Sequence, residues 1–330
     1  MASNQARIPG DLTTSNDMTS IKESQLASAV LMIRPARFES NPETAESNRF
    51  QGRSGVSAEQ QHVAALEEFD GLAMALEACG IKVLRFDDTR EPHAPDAIFP
   101  NNWVSFHADG TVVLYPMEAP SRRRERRPDI IESLVSKYDY IVKQVIDLSH
   151  HEQAGHFLEG TGSMVLDRSN RNAYACLSTR THLDPLGEFA QRMDYDIVAF
   201  DATDKDGTPI YHTNVLMNIG EEIAVICSEA ISKEAQRAAV MEQLAQTGHE
   251  IVQISYQQLE MFAGNMLELR SDSHGRVVAM SGTARQSLSE SQREIIEANA
   301  TIVSAAIDII ERSAGGSVRC MLAEVHLPTT

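Results

Sequence analysis

The sequence is poor in cysteine. Its 330 residues include four, Cys79, Cys176, Cys227 and Cys320. No two of them form the Cys-x-x-Cys pair that is typical of a structural zinc site, so the sequence predicts no metal site. Scattered cysteines in a long chain are also unlike the disulfide frameworks of small secreted proteins, and we expect reduced thiols.

Positive charge is also in short supply. The chain has 29 Lys and Arg against 47 Asp and Glu, a formal net charge of -18. Nucleic acids and anionic membranes require a basic protein face, so the composition argues against both as partners. One basic run, residues 122–127, has a helical pattern and includes Glu125. We interpret this run as the solvated face of a helix.

Long apolar runs are absent as well, and none reaches the length of a membrane-spanning helix. Residues 1–25 are polar and lack the apolar segment of a signal peptide. From these features we expect residues 1–26 to be a disordered tail, residues 27–330 to be a single catalytic domain, and the protein to be cytoplasmic.

What the sequence does contain is a repeat. Five segments open with small or polar residues and continue into alternating apolar ones: PNNWVSFHADGTVVLYP, EGTGSMVLDRSNRNAYACLS, YHTNVLMNIGEEIAVICS, AGNMLELRSDSHGRVVAMS and VRCMLAEVHLP. Four of them pass through a short turn into a second apolar stretch, which is the pattern of a β-hairpin. Five residues align at the predicted strand starts: Asn102, Ser163, Asn214, Asn265 and Cys320. Their separations of 51 to 61 residues fit a hairpin, a helix and one further strand per unit.

Helical patterns follow the hairpins at residues 124–137, 183–193, 233–247 and 289–298, and apolar strands follow at 140–142 and 250–252. The fifth unit reaches Pro328 without a second strand, whereas residues 28–34 have the character of one. We therefore predict an α/β fold of five pseudosymmetric units, a propeller-like ring closed by the N-terminal strand. In such a ring the aligned positions face one central axis.

Cys320 is the strongest candidate for a reactive group. It follows Gly315 and Gly316, which permit close backbone approach and leave amides free to donate to developing negative charge. The other three cysteines lie in apolar patterns that are typical of buried, inert thiols. A thiol needs a neighbouring base to react at neutral pH. His212, two residues before the aligned Asn214, has the position in the repeat that such a base requires.

Polar side chains at the other aligned positions indicate a binding site. An asparagine such as Asn102 or Asn214 suits a strand only where its amide has partners. Glu159 and Asp96, in the second and first units, would add carboxylates that accept from the N–H groups of a planar, nitrogen-rich ligand. The alternatives are a structural ring of hydrogen bonds for the amides, and turn or cap positions for the carboxylates.

These features resemble the guanidino-group-modifying superfamily, which includes arginine deiminases, dimethylarginine hydrolases, amidinotransferases and succinylarginine dihydrolases. The resemblance spans residues 28–328. It rests on an Asp in the first unit, Glu-Gly in the second, a His-x-polar pair in the third and a late Cys after Gly-Gly. It implies the five-fold α/β propeller called a pentein. The branch most similar is that of citrulline-utilisation hydrolases, on the stretches MIRPARFESNPET, PDAIFPNNWVSFH, FLEGTGSMVLD, YHTNVLMNIG and VRCMLAEVHLP.

The resemblance also implies roles for individual residues. Cys320 would be the nucleophile, His212 the acid/base, and Glu159 the carboxylate that holds His212 or the substrate nitrogens. Asp96 would bind the side-chain nitrogens of the substrate, and Arg180 would lie near its carboxylate. Chemistry of this kind requires no metal and no organic cofactor.

One departure from the family pattern bears on the substrate. Deiminases carry His-x-Asp in the third unit, whereas this chain has His212-Thr213-Asn214. An amide cannot neutralise a guanidinium, but it can donate to and accept from a neutral ureido group. Asn214, with Asn102 in the first unit, therefore favours citrulline as substrate over arginine.

The sequence thus predicts a hydrolase of carbon–nitrogen bonds other than peptide bonds. It would cleave citrulline or an arginine-like substrate through a covalent cysteine adduct and give ornithine, carbon dioxide and ammonia. The alternatives are an arginine deiminase or dihydrolase, a dimethylarginine hydrolase, an amidinotransferase, and a regulatory relative that binds an amino acid without catalysis. The expected partner is a small amino-acid substrate, and a homo-oligomer is compatible with the sequence.

Overall fold

A computed structural model describes residues 23–45, 47–52 and 55–330. Of the segment expected to be a disordered tail, residues 1–22 lie outside the described residues. Residues 23–26 are packed against the domain, and Glu23, Gln25 and Leu26 are buried.

The described chain alternates strands and helices. The strands are β1 (Ala29–Arg34), β2 (Lys82–Asp87), β3 (Val104–Phe106), β4 (Thr111–Leu114), β5 (Gln144–Asp147), β6 (Val165–Asp167), β7 (Asn172–Cys176), β8 (Asp196–Phe200), β9 (Met217–Ile219), β10 (Ile223–Ile226), β11 (Glu250–Gln253), β12 (Leu267–Ser271), β13 (Gly275–Ser281), β14 (Thr301–Ala305) and β15 (Ala323–Glu324). The α-helices are α1 (Ala58–Ala78), α2 (Pro128–Tyr138), α3 (Gly160–Ser163), α4 (Leu183–Met193), α5 (Thr213–Leu216), α6 (Glu234–Gln246), α7 (Tyr256–Glu260), α8 (Gly282–Ser287), α9 (Glu290–Asn299) and α10 (Asp308–Ala314). Short 3-10 helices lie at Pro100–Asn102, Arg122–Glu125, Ser149–Ala154, Ser228–Ala230 and Val318–Met321. None of the described helices is long and apolar enough to cross a membrane.

The strands form five three-stranded sheets of the same topology. In each sheet the central strand pairs antiparallel with one neighbour and parallel with the other, as in β3–β4–β5. A helix connects the two parallel strands, because a parallel pair needs a long crossover. Five such sheets are compatible with a pseudo-five-fold arrangement.

The fifth sheet is built from both ends of the domain. β1 is its central strand and pairs antiparallel with β15 and parallel with β2. Val30 lies opposite Glu324, and Leu31 lies opposite Ala323. The strand missing from the fifth unit is therefore supplied by the N-terminal strand, as the sequence predicts.

The core lies between each sheet and its crossover helix. In the fifth unit, α1 buries Phe69, Leu72 and Leu76 in the same apolar cluster as Val30 and Met32 of β1. Each such side chain contributes roughly 1.5–3 kcal/mol through removal of apolar surface from water. This packing fixes the orientation of the strands, and hence of the residues at their ends.

Two predicted elements of the first unit are shifted in the structure. The predicted helix over residues 124–137 is a 3-10 helix at Arg122–Glu125 followed by α2, which begins at Pro128. Proline favours the first helical position and disfavours helical geometry in the residue before it. The predicted strand at 140–142 is instead β5, four residues later, where Gln144 pairs with Thr111. Tyr140 forms only an isolated bridge to Thr329.

Candidate active site

The aligned residues lie just before the first strands of their units rather than within them. Asn102 ends a 3-10 turn, Asn214 lies in the one-turn helix α5, and Cys320 lies in the 3-10 turn Val318–Met321. A single helical turn before the strand points these short side chains toward the shared interior.

Seven residues were predicted for the site, and five of them line one small cavity. The volume of this cavity is about 20 Å³, and it is lined by Thr44, Asn48, Asp96, Phe99, Asn102, Arg122, Arg180, Tyr211, His212, Ala314, Gly315, Gly316 and Cys320. The other two, Asn214 and Glu159, are completely buried behind this lining. The structure therefore brings all seven predicted residues into one neighbourhood.

Two amides surround the sulfur of Cys320. The Nδ2 group of Asn265 donates to Sγ at 3.3 Å, and that of Asn214 does so at 3.6 Å. Asn265 is fixed because its Oδ1 accepts from the backbone N–H of Arg319 at 3.0 Å. N–H donors favour a thiolate over a thiol, because a hydrogen bond to the charged form stabilises it. Asn214 and Asn265 thus contact the sulfur of the predicted nucleophile, and sequence analysis did not foresee this contact for either asparagine.

Glycines make this close packing possible. A Cβ at Gly162 would lie 2.3 Å from Nδ2 of Asn102 and 2.8 Å from Nδ1 of His212. A Cβ at Gly316 would lie 2.6 Å from the ring of Phe99. The Gly-Thr-Gly and Gly-Gly sequences therefore leave room for the catalytic candidates.

His212 is held by Glu159. Its Nε2 lies 2.9 Å from Oε2 of Glu159, and both side chains are buried. Burial lowers the pKa of His212 to about 4, although the nearby carboxylate opposes that effect. The imidazole is therefore neutral near pH 7 and able to accept a proton, as a general base must.

Glu159 itself is held by several donors. Its Oε2 also lies 3.2 Å from Nη1 of Arg122 and 3.5 Å from Nη1 of Arg180. Burial by itself raises the pKa of Glu159, but Arg180, His212 and Arg122 together keep the pKa well below its usual range. Of the two roles implied by the resemblance, the geometry gives Glu159 the one of holding His212.

Arg122 is the charged residue of the cavity lining that sequence analysis missed. It was interpreted as part of a solvated helix face, but the structure buries it. Its guanidinium is paired with both carboxylate oxygens of Glu125 at 2.9 Å and lies 3.5 Å from Asp96. Glu125, three residues further on in the arginine run, was the available signal, because it pairs with Arg122 on one face of the turn.

Asp96 combines a bound oxygen with a free one. Its Oδ2 accepts from Nδ2 of Asn41 at 2.8 Å. Its Oδ1 is buried and accepts no hydrogen bond from any described residue. A buried carboxylate oxygen without a donor is costly, so this atom marks a place where an N–H group of a ligand would be stabilised.

One segment covers the cavity, and we call residues 41–45 and 47–52 the cover segment. Besides Asn41, it contributes Ser47, whose hydroxyl accepts from Nη2 of Arg180 at 2.5 Å. It also contributes Asn48, which donates to the carbonyl of Ala314 at 2.9 Å. The cover segment therefore hydrogen-bonds to Asp96 and Arg180, the groups predicted to bind substrate.

Tyr211 separates the cavity from a larger one of about 640 Å³. Its hydroxyl donates to the carbonyl of Gly315 at 2.8 Å, and its ring lies 4.8 Å from the guanidinium carbon of Arg180. The larger cavity is lined by residues such as Phe50 and Phe262 and contains neither Cys320 nor His212. The predicted nucleophile and the predicted base therefore both line the small cavity.

Two further groups lie outside the chemistry. The hydroxyl of the aligned Ser163 donates to the carbonyl of Arg180 and accepts from the N–H of Glu159, so it is a structural contact. Within the described ranges, one group of three side chains has the spacing of metal ligands, His150, His151 and Glu188. These three residues do not line the cavity.

Comparison with known proteins identifies the family of the chain. The sequence model of the family described as "N,N dimethylarginine dimethylhydrolase, eukaryotic" matches residues 34–327. No curated protein matches the chain.

Solved structures share the fold. The apo structure of ArgZ, an arginine dihydrolase from the ornithine–ammonia cycle in cyanobacteria, matches 92% of this chain at 17% identity with a TM-score of 0.69. The match covers 41% of ArgZ, so this chain corresponds to less than half of that protein. Unliganded AgrE matches with a TM-score of 0.70, 18% identity and coverage of 92% of this chain and 40% of AgrE. A dimethylarginine dimethylaminohydrolase adduct with S-methyl-L-thiocitrulline matches with a TM-score of 0.58, 16% identity and coverage of 90% and 99%.

Proposed function

The chain belongs to the N,N dimethylarginine dimethylhydrolase family of carbon–nitrogen hydrolases, within the guanidino-modifying pentein superfamily, and we propose that this member hydrolyses the ureido group of citrulline through Cys320. The products would be ornithine, carbon dioxide and ammonia. The observation that carries the proposal is the charge of the cavity lining.

Among the described residues that line the cavity, Asp96 is the one carboxylate, whereas Arg122 and Arg180 are both cationic. Glu159, behind the lining, is already bound to both arginines and to His212. Each arginine is also paired with a further carboxylate outside the lining. A guanidinium substrate would therefore meet Asp96 as its one lining carboxylate, and a buried guanidinium with a carboxylate on one edge only is left partly unpaired. A neutral ureido group avoids this cost. Its N–H groups can donate to Oδ1 of Asp96.

Arg180 suits the other end of the substrate. An α-carboxylate placed near this guanidinium would receive charge-assisted hydrogen bonds. Arg180 donates to Ser47 of the cover segment, so substrate binding would exchange that contact for one to the ligand. This arrangement selects a free amino acid over an amine that lacks the carboxylate.

The chemistry would then proceed in two stages. His212 accepts the proton of Cys320, and the thiolate attacks the ureido carbon to form a tetrahedral adduct. The adduct expels ammonia, with a proton returned by His212, and leaves an S-linked thiocarbamate. Water, deprotonated by His212, cleaves the carbon–sulfur bond and regenerates the thiol. The released carbamate decomposes to ornithine and carbon dioxide.

Glu159 and Asn102 would act in support of these steps. Glu159 holds the imidazole in place and stabilises its charged form once it has accepted a proton. Asn102 lines the cavity beside the glycine turn of residues 315–316, where its amide could donate to the developing oxyanion. We also infer that the five sheets form a closed ring around this site, with β1 as the closing strand.

The test is a substrate panel of citrulline, arginine, agmatine and asymmetric dimethylarginine, with ammonia, ornithine and citrulline quantified. Citrulline should give one ammonia per ornithine, and agmatine, which lacks the carboxylate, should be inert. Accumulation of citrulline from arginine without ornithine would instead identify a deiminase. Two ammonias per ornithine from arginine would identify a dihydrolase.

Hydrolysis of a methylated arginine is the second candidate, and the family match favours it. It would release a methylamine and citrulline. A methylated arginine is a guanidinium cation, so the charge of the lining argues against it as it does against arginine. Formation of dimethylamine by the wild-type enzyme at a rate above that of ammonia release from citrulline would decide for this candidate.

A further inference from the structure

Residues 23–27 lie at the end of the strands opposite to Cys320. Each first strand starts beside the cavity and runs to a hairpin turn, and this segment contacts those turns. The side chain of Gln25 donates to the carbonyls of Leu166 at 3.0 Å and Ile219 at 3.1 Å. Its Oε1 accepts from the N–H of Arg168 at 2.7 Å. The segment is thus bound across two neighbouring hairpins.

Glu23 inserts its carboxylate into a pocket of donors there. Oε1 accepts from Nη1 of Arg168 at 2.9 Å and from the N–H of Ala108 at 3.2 Å. Oε2 accepts from the hydroxyl of Tyr195 at 3.1 Å. The side chains of Glu23 and Arg168 are each 1% exposed. Burial alone would raise the pKa of Glu23, but Arg168 and the nearby His107 outweigh it and keep the carboxyl ionised.

These donors belong to parts of the chain far from Glu23. Ala108 lies 85 residues away along the sequence, Arg168 145 and Tyr195 172. The hairpins and α4 place them together, so the pocket is a carboxylate-binding site in its own right. Glu23 is the ligand that the chain supplies to it.

A line of buried ion pairs connects this pocket to the nucleophile. Nε of Arg168 lies 3.6 Å from Oε1 of Glu324, and Oε2 of Glu324 lies 2.6 Å from Nη2 of Arg319. Arg319 immediately precedes Cys320, and its Nη1 also donates to the carbonyl of Leu322 at 2.9 Å. Positive and negative charges therefore alternate from Glu23 to the turn that carries the thiol.

We propose that residues 23–27 are an intramolecular plug in which Glu23 fills a carboxylate-binding site, and that Glu23 is a positioning residue for Cys320 through Arg168, Glu324 and Arg319. Without the plug, Arg168 would be left with a buried positive charge that lacks one of its partners. A small free carboxylate such as acetate would then be the ligand that fits the emptied site.

The experiment uses the full chain with the substitution Glu23→Ala, which removes the carboxylate and leaves space for acetate. Thermal unfolding is measured at constant ionic strength, with sodium chloride replaced stepwise by sodium acetate. We expect Tm to fall by about 5 °C or more in chloride and to recover at least half of that loss in acetate. Glu23→Gln, whose amide still occupies the site, should show no recovery. Glu39→Ala, a partly exposed glutamate paired with Arg37, is the matched control and should not respond to acetate.

The second readout is the alkylation of Cys320 by iodoacetamide, located by mass spectrometry because the chain has four cysteines. We expect the alkylation rate of Cys320 to differ by at least about threefold between Glu23→Ala and the wild type, and acetate to restore the wild-type rate. The alkylation rate of Cys79 should be the same in both. If Glu23 only stabilised the fold, acetate would not specifically restore the alkylation rate of Cys320.

Several outcomes would overturn the proposal. Equal Tm values for Glu23→Ala in chloride and acetate would exclude the carboxylate-binding site. Recovery of Tm with no change at Cys320 would exclude the positioning role. If Glu23→Ala unfolds during purification, refolding from urea with and without acetate is the same test, and equal yields count against the proposal. Neither readout requires a substrate, so failure here is distinct from failure of the proposed function, which wild-type turnover tests.

Discussion

The first strands of the sheets carry buried polar clusters at both ends, and the two clusters differ in how completely their hydrogen bonds are used. At the plug end, the carboxylate of Glu23 is surrounded by donors from Arg168, Tyr195 and Ala108. At the catalytic end, Oδ1 of Asp96 has no donor among the described residues. A buried carboxylate whose oxygens all have donors occupies a site that the protein fills itself. A buried carboxylate oxygen without a donor marks a place where a ligand from outside can donate a hydrogen bond.

Loss of the nucleophile should separate the two ends most clearly. Cys320→Ala removes the reacting atom, and we expect turnover to fall by more than about a thousandfold. Because little buried volume is lost, Tm should stay close to that of the wild type. This is the opposite of the Glu23→Ala pattern. Turnover above a tenth of the wild-type value would exclude covalent catalysis by Cys320.

The acid/base residue should have the next largest effect. His212→Ala should lower kcat by about a hundredfold or more, the usual scale for a general acid/base. The matched control is His249→Ala, a buried histidine that contacts Thr247 and is not part of the cavity. Equal losses in the two variants would identify His212 as a structural residue.

The amides around the sulfur should have an intermediate effect. Asn265→Asp keeps the acceptor for the N–H of Arg319 but replaces the donor to Sγ with a carboxylate oxygen. A negative charge beside the sulfur repels the charge of the attacking thiolate, so alkylation of Cys320 near pH 7 should slow by about tenfold. Asn299→Asp, whose amide donates to Ile295 on a distant helix, should leave that rate unchanged. An unchanged rate in Asn265→Asp would show that the amide does not stabilise the thiolate.

The pH dependence of catalysis gives a smaller but diagnostic effect. Because burial lowers the pKa of His212 to about 4, its neutral form persists well below the 6.5 of an ordinary histidine. The acid limb of kcat/KM should therefore lie near pH 4, and activity at about pH 5.5 should remain close to maximal. Glu159→Gln removes the carboxylate that raises this pKa and should move the limb lower still. A limb at 6.5 in the wild type would contradict the buried, neutral imidazole.

The smallest expected effect is that of metal removal. The cavity is lined by one carboxylate, Asp96, one histidine, His212, and one cysteine, Cys320, and the chemistry proposed for them uses no metal. Dialysis against EDTA should change kcat/KM by no more than about 30% of its starting value. Complete loss that is restored by added zinc or manganese would overturn the metal-free mechanism.

The local sequence signals predicted more of the catalytic end than of the plug end. Glycine turns and alternating strands are patterns of only a few consecutive residues. Because these patterns recur along the chain, they identified Cys320, Asn214 and Asn102 as candidates. They did not predict the burial of Arg122. Of the three carboxylates that neutralise its charge, only Glu125 is a near neighbour in sequence, whereas Asp96 and Glu159 come from other parts of the chain.

Local sequence signals could not predict the plug either, because its partners are also distant in sequence. Glu23 and its neighbours have the polar composition of a tail, and the residues that order them are 85 or more positions away. Composition predicts whether a segment can form a core of its own, but not whether distant residues form a site for it.

The pairing of β1 with β15 has a consequence for biosynthesis. During translation β1 can pair with β2 early, since the two strands are about fifty residues apart, but its other edge must wait for residues 323–324. Closing a loop of nearly the whole chain is entropically costly and slow, and domains generally fold as units once their sequence is available. The nucleophile turn lies immediately before β15, so Cys320 takes its position in the last sheet to be completed. A nascent chain in which residues 318–324 have not yet been synthesised would hold most of the binding residues without the thiol, so the candidate site is assembled only after the rest of the domain is in place.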